Sequence, residues 1–206
     1  MAQADDAKRR GQMRRWQSAQ LESVARQVRE ANGGALWLGG YGSLPLRPEP
    51  GMGRFEPALI PDHEKSLCVR VTSCRGRPGA PGFVAGILPS PGDAVLAMVC
   101  RLDPRALSRL ERRELDGRAY DPRAVRAVLR SGERRTVLAF TAAISHPDCM
   151  RLDTETLAEI VALARGCRGT NRRYLADTIA FERGAFGRAT PSLLALEAAV
   201  ARRVVG

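Results

Sequence analysis

Three places in the chain combine residue types and spacing that could do chemistry. The first is Gly39-Gly40-Tyr41-Gly42-Ser43-Leu44, a glycine-rich turn behind the apolar run Ala35-Leu36-Trp37-Leu38. Glycines let the backbone turn sharply and present bare N–H groups that suit a carboxylate or a phosphate. Ser43 adds a hydroxyl and Tyr41 a ring. By spacing alone the same residues also make a plain strand-ending turn. No Gly-Lys-Ser/Thr follows, so it is not a Walker loop. Leu44-Pro45 stand where a G-x-S-x-G elbow needs its second glycine.

The second place is Leu110-Glu111-Arg112-Arg113-Glu114-Leu115. Its charges read as the solvated face of a helix, forming weak local ion pairs. The sharper reading makes Glu114 a general base at a helix end, where an apolar pocket raises a carboxyl pKa toward the range of a proton shuttle. The third is Gly166-x-x-Gly169-x-Asn171-x-x-Tyr174-Leu175. There the spacing predicts a corner between two helices, Gly166 ending one and Asn171 capping the next.

Thiol and metal chemistry have less behind them. Cys68, Cys74, Cys100, Cys149 and Cys167 are odd in number and widely spaced, and none forms a C-x-x-C pair. With only His63 and His146 beside them, zinc spacing is absent. They read as reduced, mostly buried thiols of a cytoplasmic protein. His63 or His146 could serve Cys68 or Cys149 in a thiol hydrolase, though no local motif supports the pairing.

These residues need a scaffold. At 206 residues and 44% hydrophobic composition, the chain suits one domain with a buried core, preceded by a leader. Residues 1–33 form the leader, with Trp16, Leu21, Val24 and Val28 at near-helical spacing and a stop at Asn32-Gly33-Gly34. It reads as an amphipathic helix packed on the domain; a membrane-surface role is the alternative, against which its apolar face is narrow. Nothing in 1–15 resembles a secretory signal. The domain, 34–206, has strand signals at 66–73, 83–88 and 94–102. Residues 45–53 read as an extended loop. Asp103-Pro104 starts a helix that runs to about Leu115. Residues 124–129 and 136–143 flank Ser131-Gly132-Glu133 as a hairpin. Helices follow, capped by Asp153, Asn171 and Thr190. Strands first and helices last make an α+β fold and argue against a Rossmann or P-loop architecture.

The formal net charge of +11, from 33 Lys+Arg against 22 Asp+Glu, invites a nucleic-acid reading. The charge is nearly all arginine, Lys8 and Lys65 being the lysines, and it is spread along the chain. An aromatic content of 5% is thin for base stacking. The composition therefore does not single out nucleic acid. No apolar run reaches the roughly 18 residues of a membrane span.

Taken in order, the pieces resemble the ChaC-like γ-glutamylcyclotransferases, the glutathione-specific branch of their superfamily. The resemblance rests on Tyr41-Gly42-Ser43-Leu44, Ser66-Leu67-Cys68-Val69, Arg75-Gly76 with Pro81-Gly82, Leu110-x-x-Arg113-Glu114, and the Gly166 to Leu175 corner. It runs from about Leu36 to Val200. His63 also falls where bacterial members often carry a histidine. The resemblance implies a small, mostly antiparallel β-barrel decorated with helices, with a helical C-terminal third and no metal or organic cofactor. It implies cleavage of the γ-glutamyl amide of glutathione, a small-molecule substrate, to 5-oxoproline and cysteinylglycine. Glu114 matches the catalytic glutamate; Tyr41, Gly42, Ser43 and Leu44 match the loop that holds the γ-glutamyl end; Arg75 matches a family arginine. A non-catalytic protein that binds γ-glutamyl compounds on this scaffold is the alternative. The chain departs from the family at Pro45 to Pro48, Arg70, Ala97 and Cys149, changes expected to touch the pocket wall.

Overall fold

A computed structural model describes residues 2–115 and 119–204, with the side chains of 16–115 and 119–203. Five strands close into a barrel: β1 (Trp37–Gly40), β2 (Glu56–Val71), β3 (Gly82–Arg101), β4 (Tyr120–Leu129) and β5 (Arg134–Ala142). Their order around the barrel is β1-β3-β2-β4-β5. Every pairing is antiparallel except the closing one, where Leu38 of β1 meets Leu138 of β5 in parallel. Closure removes the edges that an open sheet would leave unpaired. Side chains of Leu38, Ile60, Ile87, Val99 and Val137 are fully buried in the core.

The two strand signals at 83–88 and 94–102 prove to be one long strand. β3 runs through Pro89 to Asp93, pairing with β2 on both sides of a register shift between Pro61 and His63. The prolines did not break the ribbon because the irregularity sits where they fall, and prolines are tolerated at bulges. The expected loop after Leu44 contains α2 (Ser43–Leu46), a single helical turn.

Helices pack outside. α1 (Ala2–Ala31) lies on β4 and β5, burying Leu21, Val24, Ala25 and Val28. Trp16, expected on the apolar face, is 52% exposed, because the buried stripe begins at Gln17 and Leu21. The helix stops where Gly33 takes the left-handed conformation (φ 60°) and Gly34 N–H donates to Arg29 O at 2.8 Å.

A short 3-10 turn (Pro104–Ala106), capped by Asp103, leads into α3 (Leu107–Glu114). The C-terminal third holds α4 (Thr154–Leu163), the two-residue strands β6 (Arg165–Gly166) and β7 (Gly169–Thr170), α5 (Asn171–Phe186) and α6 (Pro191–Val204). The corner differs from the expected one in two details. The first helix ends at Leu163, not at Gly166, and Thr170 caps the second, its hydroxyl accepting from Arg173 N–H. Asn171 is instead drawn inward. Its fully buried amide accepts from Phe83 N–H (2.6 Å) and donates to Phe83 C=O (2.7 Å), tying α5 to the start of β3.

Behind the corner, Lys65 of β2 and Glu182 of α5 form a buried pair at 2.5 Å. Lys65 also donates to Leu96 O, and Glu182 accepts from the Thr190 amide and hydroxyl. A buried pair needs such additional bonds to offset its desolvation. Here they join β2, β3 and the α5–α6 connection.

Candidate active site

α3 explains how a charged residue comes to face inward. Leu107, Leu110 and Glu114 recur at i, i+3 and i+7 on one helical face, and all three are buried. Glu114 thus occupies the core-facing position at the helix end. The solvated reading describes Arg112, which is exposed, but not Glu114, at 7% exposure. Beside it Arg113 bridges elements: Nε lies 3.1 Å from Glu114 Oε1, Nη2 donates to Ser43 O (3.0 Å), and Nη1 donates to Arg47 O (2.6 Å) and Glu49 Oε1 (2.8 Å). One guanidinium therefore connects the α3 carboxylate to the glycine-rich loop.

The loop leaves β1 at the barrel end reached by the C-termini of β1 and β5 and the N-terminus of β4. A cavity of about 390 Å³ opens there, within the range typical of small-molecule sites. Tyr41, Gly42, Ser43, Leu44, Arg75 and Glu114 all line it. The structure thus brings every residue singled out for the site to one cavity, although they come from three separate stretches of chain.

Arg75 is held by the corner. Its Nη1 donates to Thr170 O at 3.3 Å, and its guanidinium stacks 5.2 Å from the centre of the Tyr174 ring. The backbone is just as tightly packed: a Cβ on Gly82 would stand 2.3 Å from Arg75 O, so only glycine fits. Burial, and then the charge of Arg47, lower the Arg75 pKa.

Reasoning from sequence missed most of the remaining wall. The chain has three tyrosines, and all of them line the cavity. Tyr41 donates its hydroxyl to Phe140 O, and Tyr120 donates to Ala85 O at 2.5 Å. Ala85 N–H donates to Tyr174 Oη at 3.0 Å. Burial first, and the charge of Glu114 after it, push the Tyr41 hydroxyl well above its usual range. Burial also raises Tyr120, with the other two tyrosines and Glu114 adding. Burial pushes Tyr174 up to about 12, against the Ala85 hydrogen bond and with the help of Glu114. The phenols therefore stay neutral and act as hydrogen-bonding groups around one carboxylate. Their rarity in an aromatic-poor chain was the available signal. Tyr174 sat inside the corner motif, read there as architecture alone.

The departures are placed differently than expected. Pro45, Arg70, Ala97 and Cys149 do not line the cavity; of the replaced segment 45–48, only Leu46 and Arg47 do. Pro45 packs near Gly40, Arg70 pairs with Asp148 on the surface, Ala97 is in the core opposite Ala58, and Cys149 bridges to Val69. The thiol-hydrolase pairing finds no geometry. Burial and the neighbouring Cys149 push Cys68 up to about 12, while His63 bonds to Pro61 O and His146 accepts from Asp148 N–H. No group of three or more His, Cys, Asp or Glu among the described residues is arranged to hold a metal ion.

A model of the ChaC-like protein family matches residues 36–203. The glutathione-specific gamma-glutamylcyclotransferase of Escherichia coli strain K12 is 27% identical over 69% of this chain; the match spans 63% of that relative's length, less than two thirds. The crystal structure of a gamma-glutamyl cyclotransferase specific to glutathione from yeast matches with a TM-score of 0.71 at 21% identity, covering 82% of this chain and 99% of that one. The selenomethionine-labelled form of the yeast protein matches with a TM-score of 0.71 at 20% identity, covering 82% and 96%. The likeness establishes a shared fold.

Proposed function

The chain belongs to the ChaC-like family, and from that premise we propose that it is a γ-glutamylcyclotransferase acting on glutathione. One observation carries the reading. The Glu114 carboxylate lies on the wall of the same cavity as the Tyr41 to Leu44 loop, joined to it through Arg113.

The reaction asks little of the protein beyond geometry and proton transfer. The substrate's α-amine attacks its own γ-carbonyl carbon, forming the C–N bond of a five-membered lactam. The original amide C–N bond breaks, and the two products are 5-oxoproline and cysteinylglycine. The α-ammonium gives up two protons on its way to the lactam N–H, and the departing amide nitrogen takes up two to leave as the ammonium of cysteinylglycine. A single carboxylate can carry both transfers, and Glu114 is assigned that task. The loop amides of Gly42, Ser43 and Leu44 are assigned to the α-carboxylate or the developing oxyanion, with Pro45 supplying no N–H. Tyr41 forms the wall behind them, and Arg75 is assigned to substrate binding at the corner. Holding amine and carbonyl about 3–3.5 Å apart in a folded substrate provides much of the rate. No cofactor enters these steps.

In this reading residues 34–206 are the catalytic domain and 1–33 a leader helix packed upon it. A cytoplasmic location goes with it, since reduced thiols and abundant glutathione belong to that compartment. No helix among the described residues is long and apolar enough to cross a membrane. The test is direct: purified protein is incubated with glutathione, and 5-oxoproline and cysteinylglycine are followed. Equimolar appearance of both is expected. A folded protein that forms neither, from glutathione or from several other γ-glutamyl donors, overturns the assignment.

A further inference from the structure

The cavity has two ends of different chemistry. The inner end holds Glu114 and the neutral tyrosines; the outer end holds Arg47 and Arg168, both exposed. The same two arginines also line an adjoining trough, together with Arg109, Arg112 and Arg113. The nearby carboxylates are already engaged. Glu49 accepts from Arg113 at 2.8 Å, and Asp177 accepts from Arg173 at 2.6 Å. Arg109 donates to Pro50 O. Arg47, Arg112 and Arg168 have no carboxylate partner among the described residues, which leaves three guanidinium charges unpaired there.

Both mouth arginines rise from anchored backbone on different elements. Arg47 follows α2, its C=O accepting from Arg113. Arg168 lies in the β6–β7 turn, its N–H donating to Cys74 O at 3.0 Å beside Arg75. Exposed guanidinium groups on anchored backbone suit a carboxylate, which they can bind through paired hydrogen bonds. A γ-glutamyl peptide has two such groups: the α-carboxylate at the reacting end and the terminal carboxylate of the leaving peptide.

We propose that Arg47 and Arg168 form the subsite for the terminal carboxylate of the leaving peptide, making the protein selective for γ-glutamyl peptides that end in a free acid. This inference rests on the reaction assigned above. Arg47 stands in the segment that departs from the family pattern, so the sequence marks this end of the cavity as the chain's own.

The experiment compares kcat/KM for glutathione with that for its C-terminal amide. Wild-type protein is expected to favour the acid on the order of 10-fold, as for a charge-assisted hydrogen bond, and less at high ionic strength. In Arg47→Ala/Arg168→Ala the preference should fall to within about 2-fold, through KM. The Arg47→Lys/Arg168→Lys variant should keep part of it. A preference that survives in the alanine variant, or an equal loss on acid and amide, overturns the subsite and leaves the reaction standing. Calorimetric binding to Glu114→Gln separates the two ideas further. If wild type turns over neither compound but Glu114→Gln binds the acid over the amide, the subsite stands and the reaction falls. Equal binding, or none, overturns the subsite.

Discussion

Glu114 is a carboxylate at a position where helical periodicity would place a leucine. Leu107 and Leu110 precede it on the same buried face of α3, and the cavity opens where that face ends. The assigned proton shuttle requires an ionisable oxygen there. Glu114→Gln is isosteric and keeps the packing, so kcat should fall by roughly 10²–10⁴-fold with the circular dichroism spectrum unchanged. A rate within a few-fold of wild type would remove Glu114 from the mechanism. A second residue-level consequence concerns the thiols. Burial pushes Cys68 and Cys100 up to about 12 in the folded chain, from an ordinary value of 9.0. The unfolded chain therefore releases these protons first as pH rises. The stabilisation is complete below pH 9 and is lost between about 9 and 12, at about 1.4 kcal/mol per pH unit for each group. Tyr174 adds the same trend from about 10 to 12. The urea midpoint, measured under reducing conditions, should drop from pH 8 to pH 10.5; a flat profile would contradict the burial of these groups.

At the scale of elements, the site depends on how the corner before α5 is fastened to the barrel. Asn171 satisfies both backbone groups of Phe83, and Tyr174, one turn later, meets Ala85 in the next part of β3. Thr170 meanwhile caps the helix and offers its carbonyl to Arg75. Asn171→Ala would leave a buried N–H and a buried C=O without partners, a loss of about 2–4 kcal/mol in chemical denaturation. Activity should fall as well, because Arg75 and Tyr174 are held from the same segment. A loss below about 0.5 kcal/mol would mean that the corner is fastened elsewhere, the Lys65–Glu182 pair being the other tie on α5.

For the molecule as a whole, α1 decides whether the chain has a detachable extension or one continuous core. Leu21 and Val28 are buried on β4 and β5, and Gln17 Nε2 donates to the backbone oxygen of Tyr120, a cavity residue. Leu21→Ala should therefore lower the stability of the entire cooperative transition by about 2–5 kcal/mol, as in other buried Leu→Ala changes. A single unfolding transition at the wild-type midpoint would make the helix an accessory to a barrel that folds without it. The charge belongs to this scale too. Dispersed along the sequence, +11 suggested only a basic background; in the fold, five arginines gather at the trough beside the cavity mouth.

Local patterns determined much by themselves. Hydrophobic patterning and helix caps sufficed for an α+β chain with helices last, and Tyr41-Gly42-Ser43-Leu44 with Glu114, through the family resemblance, singled out residues that line one cavity. Such features are short-range, written in neighbours and fixed spacings. Only the tertiary structure decided the rest. Proline at 89 and 91 signalled a break, yet long-range pairing with β2 carries β3 through them. Tyr120 and Tyr174 had no local motif of cavity residues; the barrel brings Tyr120 to Ala85 from β4, and the packing of α5 on β3 brings Tyr174 there. Whether a charge faces water or a pocket is set by what packs against its helix, and that is why Arg112 and Glu114, two residues apart, end in opposite environments.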